Sequence, residues 1–411
     1  MSPKITSIQP ISHPPLEGKT VVLGVTGSIA AYKAADVASK LVQAGAMVDV
    51  IMTTSATEFV GAATFEALTH RPVTTGLWQA RSELNMDHVA LALQADCILI
   101  APATANTIAK LALGIADDPL TATVLATEAP VIVAPAMDAD MFASPSTQRN
   151  VNTLVTDGTI IAGPADGRLA SGLLGKGRLV ETNVLEGLVR QAIGKHGDYS
   201  ARRVIVSAGG TRQPIDPVRF ISNRSTGKMG HRIAEAARDR GADVLLVTAS
   251  ELPRPSGVEV VKAITVEEMR DAIVPSSSEA DLLIMAAAIS DFTPSHVSDQ
   301  KIKKQGKSGT SLDLVEVEDF MPLAQGRKLI KVAFAAETND VEENAKAKTA
   351  PKGAAFVVAN DISEPGSGFG TDTNRVTFVD SEGNTQSNPL MTKLDVGHAI
   401  LDRALPLLAK H

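Results

Sequence analysis

A glycine-rich stretch, "PADGRLASGLLGKGRL" at residues 164–179, surrounds one serine with basic residues. Its four glycines follow neither a helical nor a strand period, so the stretch is predicted to be a mobile loop and not a core element. Arg168, Lys176 and Arg178 could contact an anionic ligand, and Ser171 lies at the centre. Whether Ser171 takes part in chemistry depends on what the rest of the chain brings near it.

A strand-to-helix turn in "GVTGSIAAYK", residues 24–33, is a candidate phosphate site. The backbone N–H groups around Gly27 and Ser28 and the dipole of the following helix point at one place. The spacing matches neither GxGxxG nor GxxxxGK[ST], so a dinucleotide site is the weaker interpretation, and a plain tight turn is the structural alternative. Further donors at later strand ends could hold a mononucleotide; they are Thr53, Thr54, Ser55, Thr104, Asn106 and Thr121.

Two more residues of the first half could do acid–base chemistry. His88, in "NMDHVALALQAD", could act as a base, although a lone histidine beside apolar residues is more often a packing or capping residue. Asp138 follows a strand in "VIVAPAMDADMF", where an aspartate is by default a turn or N-cap residue.

The second half contains a long loop, "SAGGTRQPIDPVRFISNRSTGKMG", and such loops at strand ends usually carry function. Its donors predict a phosphate or carboxylate ligand near the next helix N-terminus; they are Arg219, Asn223, Arg224 and Lys228. Asp291 lies ten residues before Lys301 in the lysine-rich "QKIKKQGK". A carboxylate near a lysine is typical of a nucleotide site, and a solvated charge run is the alternative.

The scaffold for these residues is predicted twice along the chain. The expected strand–helix–strand units are 21–25, 30–43 and 48–52 in the first half, and 204–207, 232–240 and 244–248 in the second. They indicate an α/β protein with two doubly wound parallel-sheet domains, which bind ligands at the carboxyl ends of their strands. We expect a flexible leader (1–16), a first domain (17–193), a linker (194–203) and a second domain (204–411).

Composition excludes several classes of protein. A net charge of −7 over 411 residues argues against general nucleic-acid binding. The single cysteine, Cys97, excludes an intrachain disulfide, and the eight histidines contain no HxxxH or HExxH pair. No signal-peptide core is present, and no run approaches the roughly 18 apolar residues of a membrane span. A cytoplasmic protein without a membrane partner is expected.

The motifs "GSIAAYK", "MDHVAL", "PATANTIAK", "GIADDPLT" and "APAMDADMF", in this order, resemble the flavin-dependent cysteine decarboxylases, a flavodoxin-like family that binds FMN. The resemblance covers about residues 18–190. It implies that His88 is catalytic, that residues 135–142 with Met137 and Asp138 hold the substrate carboxylate, and that the opening stretch is a substrate clamp anchored by Arg178. The implied FMN contacts are Gly27, Ser28, Ile29, Ala30, Thr53, Ser55, Thr104, Asn106 and Thr121.

Residues from about 200 to 405 resemble the Rossmann-like ligase half of the bifunctional phosphopantothenoylcysteine decarboxylase/phosphopantothenate–cysteine ligase family. The motifs are "DPVRFISNRSTGKMG", "AAAISDF", "KIKK", "FAAETND" and "ANDISEPGSGFGTDTN". The full-length order matches this fused family of coenzyme A biosynthesis. The resemblance implies that CTP, with Mg²⁺ on its phosphates, activates phosphopantothenate as an acyl-cytidylate, from which cysteine displaces CMP. The metal ligands are unknown.

Carried over by position, Asn223 stabilises the acyl-cytidylate, Lys301 contacts the CTP phosphates and Arg219 lies on the substrate side. The remaining nucleotide contacts are Ala287, Ala288, Asp291, Phe334, Lys348 and Lys352. One segment departs from the family pattern, because "EDFMPL" at residues 318–323 replaces an Asn-Pro-Asp-Ile-Leu-like run.

The decarboxylase half departs at two positions. Oxidation of the cysteinyl thiol by FMN would let phosphopantothenoylcysteine lose carbon dioxide and leave an enethiolate, which must then be protonated at carbon and reduced. The family's clamp cysteine supplies that proton, but Ser171 stands in its place in "ASGLLGKGR", and Asp138 replaces an asparagine. Either a protonated Asp138 is the donor or this half is impaired.

We expect a working bifunctional enzyme with an altered proton donor. The alternative is an active ligase fused to an impaired flavin-binding module that serves mainly as an assembly scaffold. An NAD-type dehydrogenase would rest on the fold alone. The family's assembly further implies a homo-oligomer, a dodecamer.

Overall fold

The computed structural model describes residues 10–77, 87–303, 311–337, 351–361 and 366–409. It consists of two compact units, an N-terminal unit of residues 13–193 and a C-terminal unit of residues 194–409 that also includes residues 10–12. Both units are the α/β folds with parallel sheets that the sequence predicts.

The N-terminal unit is built on a five-stranded parallel sheet in the order β2-β1-β3-β4-β5. Its main strands are nearly continuous apolar runs because helices cover both faces. The strands are β1 Thr20–Val25, β2 Met47–Met52, β3 Cys97–Ala103, β4 Val131–Pro135 and β5 Ile160–Ile161, with a separate ribbon of β6 Ala165–Arg168 and β7 Leu174–Arg178. The helices are α1 Ala31–Gln43, α2 Thr54–Thr57, α3 Ala62–Thr69, α4 Asp87–Gln94, α5 Ala105–Leu113, α6 Pro119–Ala126, α7 Ala139–Ala143, α8 Pro145–Thr156 and α9 Thr182–Gly194.

The C-terminal unit has an eight-stranded sheet in the order β12-β11-β8-β13-β16-β17-β19-β20. The first six of these strands are parallel to one another. β19 pairs antiparallel with β17, and β20 pairs antiparallel with β19. The sheet strands are β8 Arg203–Ala208, β11 Asp243–Thr248, β12 Glu259–Lys262, β13 Leu282–Met285, β16 Ile330–Glu337, β17 Phe356–Asp361, β19 Thr377–Asp380 and β20 Thr385–Ser387. Short paired strands are β9 Arg212–Pro214, β10 Phe220–Ser222, β14 Phe292–Pro294, β15 Leu314–Glu316, β18 Thr373–Asn374 and β21 Met391–Thr392. The helices are α10 Lys228–Asp239, α11 Val266–Ser276 and α12 Lys393–Leu408.

In each unit the strand that comes first in the chain lies inside the sheet, with later strands paired on both of its sides. β1 has β2 on one side and β3 on the other, and β8 has β11 and β13. The loops after these strands therefore diverge and leave a crevice at the carboxyl edge, where doubly wound sheets bind ligands.

The clamp stretch differs from its predicted structure. Residues 164–179 are not an irregular loop, because β6 and β7 pair as an antiparallel hairpin. The turn contains Gly172 at φ +87°, a left-handed conformation that favours glycine. The hydrophobic pattern missed these strands because a short ribbon with exposed side chains need not alternate.

The segments expected to be a leader and a linker also contribute to the fold. Leu16 lies in the core of the N-terminal unit, so flexibility does not extend to this part of the expected leader. Tyr199, in the expected linker, is completely buried in the C-terminal unit, and its hydroxyl donates to the Leu401 carbonyl oxygen at 2.6 Å. Among the helices that the structure describes, none combines the length and apolar character that crossing a bilayer requires.

Candidate active sites

In the N-terminal unit, the turn after β1 is tied to the ends of the neighbouring strands. The Thr26 hydroxyl donates to the Pro102 carbonyl oxygen at 2.8 Å and accepts from the Thr104 N–H at 3.0 Å. The Ser28 hydroxyl donates to the Ala136 carbonyl oxygen at 3.2 Å. These bonds hold the crevice open between rigid strand ends.

Two features of this crevice fit a polar ligand such as FMN. Thr53 Oγ1, at the end of β2, is buried and has no hydrogen-bond partner among the described residues. Gly27 allows the turn to approach α2 closely, since a Cβ added there would lie 2.4 Å from Ser55 Cβ. A buried hydroxyl without a partner is costly, so it indicates a ligand group that would complete it.

The other predicted flavin contacts are only partly gathered here. Ile29 is exposed beside the turn, and the Ala30 N–H donates to Ser28 Oγ at 3.3 Å. Asn106 is exposed on α5. Thr121 is buried and makes local contacts. Its hydroxyl and N–H bond to Asp118 in the capping box of α6, and its side chain lines a separate cavity of about 400 Å³.

The clamp hairpin is fastened to the segment that follows β4. The Ser171 hydroxyl donates to Asp138 Oδ2 at 2.7 Å, and the Met137 N–H donates to the Gly177 carbonyl oxygen at 3.0 Å. The structure thus joins the two positions at which the chain departs from the family pattern. The Ser171 hydroxyl, and after it the Asp140 N–H, hold the pKa of Asp138 below its ordinary value. Asp138 also caps α7, because its carboxylate accepts from the Asp140 N–H at 3.2 Å.

Arg178 and His88 lie outside this pair. The Arg178 guanidinium donates to Glu181 at 2.7 Å on the surface and does not anchor the hairpin centre. His88 is near the N-terminus of α4, which precedes β3; because such a helix runs antiparallel to the strand it feeds, His88 lies towards the carboxyl edge. In the described part of the chain, His88 forms no hydrogen bond to Ser171 or Asp138.

In the C-terminal unit, a cavity of about 690 Å³ opens at the carboxyl edge of the sheet. It gathers most of the predicted nucleotide and intermediate contacts, namely Asn223, Ala287, Ala288, Asp291, Phe334 and Lys352. Lys348 lies outside the described residues.

Backbone contacts hold the central wall of this cavity. The Asn223 amide donates to the Ile289 and Ala288 carbonyl oxygens at 3.0 and 3.3 Å. The Ala287 N–H donates to Ser207 Oγ at 3.0 Å, which connects the wall to the end of β8. Asn223 is thus oriented at the edge of the cavity by the same segment that carries Ala287 and Ala288.

Arg219 and Lys301 are arranged differently from the expectation. Arg219 pairs with the carboxylate of Asp216, whose side chain is buried, and donates to the Ile302 carbonyl oxygen at 2.8 Å. The Ile302 N–H donates to Asp216 Oδ2 at 3.1 Å. The Arg219 guanidinium holds the pKa of Asp216 far below its usual range. Neither Arg219 nor the exposed Lys301 lines the cavity; Arg219 instead fastens the segment that carries Lys301.

Several functional candidates escaped the sequence analysis. Asp319, within the departing "EDFMPL" segment, lies on the cavity wall and pairs with Lys352 at 2.7 Å. Lys393 is buried in the wall beside the glycine-rich loop 366–372. Lys393 directly follows Thr392, which caps the N-terminus of α12 as threonine commonly does, but nothing in the sequence shows that α12 begins at the cavity.

Carboxylates are not preassembled into a metal site. Among the described residues, no three His, Cys, Asp or Glu side chains are grouped so that they could hold a metal ion.

The chain is similar to known proteins over nearly its whole length. A family model described as "DNA/pantothenate metabolism flavoprotein C-terminal domain" matches residues 199–407, and one described as "Flavoprotein" matches residues 11–194. The coenzyme A biosynthesis bifunctional protein CoaBC of Bacillus subtilis (strain 168) is 44% identical over 398 residues, which are 95% of this chain and 98% of the relative. The solved C-terminal domain of a CoaBC protein is 32% identical, with a TM-score of 0.45, over 52% of this chain and all of that chain. The FMN-dependent cysteine decarboxylase SpaF is 34% identical, with a TM-score of 0.38, over 43% of this chain and 97% of that chain. The chain belongs to the family of coenzyme A biosynthesis bifunctional proteins CoaBC.

Proposed function

We propose that this chain carries out two consecutive steps of coenzyme A biosynthesis. The C-terminal unit joins cysteine to phosphopantothenate, and the N-terminal unit decarboxylates the resulting phosphopantothenoylcysteine to phosphopantetheine. The observation that carries this proposal is a relative named for both activities that matches 95% of the chain at 44% identity. A flavin-binding module that serves only as an assembly scaffold has no support in that comparison.

In the ligase, the C-terminal cavity has the size and composition for a nucleotide joined to an acyl group. CTP would place its triphosphate near the N-terminus of α10, where Arg224, Ser225 and Lys228 line the cavity. Asn223, held by the Ile289 carbonyl oxygen, is placed to contact the acyl-cytidylate. Lys301, on the segment fastened by Arg219, and Lys348 would reach the phosphates from outside the described wall.

Mg²⁺ is proposed to arrive with the nucleotide. The described carboxylates form no ready metal site, and magnesium is commonly held by substrate phosphates and water with one or two carboxylates. Asp291 lines the same cavity and is a candidate ligand from the chain.

In the decarboxylase, Thr53 and the turn at Gly27 and Ser28 fit FMN. FMN supplies the oxidation that makes loss of carbon dioxide possible and the later reduction. His88 is proposed as the base or electrostatic partner of the first step. Closure of the clamp over an anionic substrate would raise the pKa of Asp138, because a second negative charge and loss of water both disfavour its ionised form. Asp138 would take up a proton from solvent as the substrate binds and then pass it through the Ser171 hydroxyl to the enethiolate carbon.

The test of the two activities is incubation of the FMN-loaded protein with phosphopantothenate, cysteine, CTP and Mg²⁺, followed by mass spectrometry. Phosphopantetheine and released carbon dioxide are expected. Phosphopantothenoylcysteine that accumulates without loss of carbon dioxide would refute the decarboxylase, and no conjugate at all would refute the ligase. For the proton relay, Asp138→Asn should still release carbon dioxide but leave the enethiol, whereas unchanged phosphopantetheine formation would exclude Asp138 as donor.

The proposals for the assembly and the location of the protein rest on the same family membership. We propose a cytoplasmic homo-oligomer, the dodecamer that the resemblance implies. Exposed apolar side chains on the N-terminal unit, among them Tyr32 and Leu125, are suited to contacts between subunits. Sedimentation of the intact protein tests the assembly.

A further inference from the structure

Lys393 is a buried lysine in the wall of the ligase cavity. Its side chain is 3% exposed, and it is the first residue of α12, directly after the N-cap Thr392. Its Nζ donates to the Gly368 carbonyl oxygen at 3.0 Å and to the Thr371 carbonyl oxygen at 2.6 Å. In the described part of the chain it has no carboxylate partner. Among the described residues, this amine is therefore buried without the ion pair that favours a buried ammonium.

The charges around Lys393 work against a second positive charge. Lys228, the first residue of α10, donates to the Gly370 carbonyl oxygen and to Asp372, each at 2.8 Å, so two helix N-termini and two lysines meet at one loop. α10 also carries the paired Arg232 and Glu235, and α12 carries Asp395, which interacts with Thr392. Burial and then Lys228 lower the pKa of Lys393 to about 8, while Asp372 opposes them.

The two hydrogen bonds of Lys393 leave room for a free lone pair once the amine has lost its extra proton. A neutral lysine has two N–H donors and one lone pair, whereas an ammonium has three donors and no acceptor. The Gly368 and Thr371 carbonyl oxygens satisfy two donors. A carbonyl oxygen has no proton to donate, so neither group forms a hydrogen bond to the lone pair of a neutral Lys393. Because Lys393 lines the cavity together with Asn223, that lone pair is available to a reacting molecule bound there.

We propose that Lys393 is the general base of the amide-forming step, an assignment that rests on the proposed ligase reaction. The cysteine nitrogen attacks the carbonyl carbon of the acyl-cytidylate, and a C–N bond forms. The bond between that carbon and the phosphate oxygen breaks, and its electron pair leaves with CMP. Cysteine binds with its nitrogen as an ammonium, which loses one proton to Lys393 Nζ before the attack and a second proton to solvent as the amide forms. Lys393 Nζ returns its proton to solvent before the next turnover. Formation of the acyl-cytidylate itself releases pyrophosphate and needs no such base.

The two half-reactions allow a direct test in the full-length protein. Lys393→Arg keeps N–H donors for the loop but cannot accept a proton, and Lys393→Met removes both functions. Pyrophosphate release with CTP and phosphopantothenate alone measures the first half-reaction and also reports that the cavity is intact. Transfer of the acyl group in a single turnover is then followed with cysteine and, separately, with hydroxylamine, a weakly basic nucleophile that is unprotonated at neutral pH. Lys331→Arg is the matched control, because Lys331 is also partly buried and donates to a backbone carbonyl but does not line the cavity.

Both Lys393 variants are expected to release pyrophosphate at close to the wild-type rate and to transfer the acyl group to cysteine about 100-fold more slowly. Transfer to hydroxylamine should stay within a few-fold of wild type, and the rise of the cysteine rate with pH near 8 should disappear. Equal loss with both nucleophiles, or loss of pyrophosphate release, would overturn the assignment and make Lys393 a binding or structural residue. A wild-type protein that releases no pyrophosphate would instead refute the proposed ligase and this step with it.

Discussion

Gly177→Ala tests whether the contact between the clamp hairpin and the segment after β4 is needed for decarboxylation. A Cβ at this position would lie 2.2 Å from the Met137 carbonyl oxygen, a backbone atom that no side-chain rotation can move away. The hairpin must therefore shift by about 1 Å to restore ordinary contact, which costs roughly 1–3 kcal/mol in a packed site. The same shift breaks the bond from the Met137 N–H to the Gly177 carbonyl oxygen and separates Ser171 from Asp138.

The expected result is a fall of about 100-fold in the rate of carbon dioxide release, because a displacement of about 1 Å in reacting groups has effects of that size. Carbon dioxide release from phosphopantothenoylcysteine is the assay, and the ligase rate of the same molecule serves as an internal control for folding. Leu174→Ala, in the same strand but with an 82% exposed side chain, is the matched variant and should behave as wild type. Gly177→Ala with undiminished decarboxylation and bound FMN would show that the clamp contact does not position the reacting groups.

Two further outcomes follow from buried groups of the N-terminal unit. Thr53→Val should weaken FMN binding about 5-fold, the equivalent of one lost hydrogen bond. The FMN-free protein should unfold at the wild-type temperature or above it, because the substitution removes a buried hydroxyl that has no partner among the described residues. A flavin titration and a thermal melt check this, and a lower melting temperature with unchanged flavin affinity would contradict it. Cys97 should resist a thiol-specific reagent at pH 8 until the protein is unfolded, because only the thiolate reacts. Burial, with a smaller contribution from Asp96, raises the pKa of the Cys97 thiol to about 12. Rapid labelling of the native protein would contradict the buried position of β3.

The fold was accessible from the sequence because its signals are local and repeated. The apolar runs at Thr20–Val25 and Arg203–Ala208, each followed by a helix and a glycine stop, predict parallel sheets whose carboxyl edges carry the sites. The structure has these strands within about one residue of their predicted bounds. The hairpin at 165–178 was missed because its strands are held by backbone pairing, which leaves no pattern in exposed side chains.

The site was less accessible because its details depend on which distant residues meet. The sequence placed Ser171 and Asp138 in one site but not in direct contact, since 33 residues separate them. Arg219 shows the opposite case. Its charge predicted a substrate contact, but the buried carboxylate of Asp216, three residues away, takes the guanidinium. Thr121 was assigned to a ligand although the sequence "DDPLT" also contains the Asp118 cap that occupies it.

Tyr199 determines where the chain can be divided into separately expressed halves. A C-terminal half that begins at Val204, where the predicted domain starts, would lack a side chain that is completely enclosed. It would also lose the side-chain hydrogen bond that the Leu401 carbonyl oxygen of α12 accepts. Loss of a large buried aromatic costs roughly 3–5 kcal/mol, a large share of the stability of an ordinary domain. A separately expressed C-terminal half should therefore begin no later than Gly194, and the residues that look like a spacer belong to the C-terminal unit.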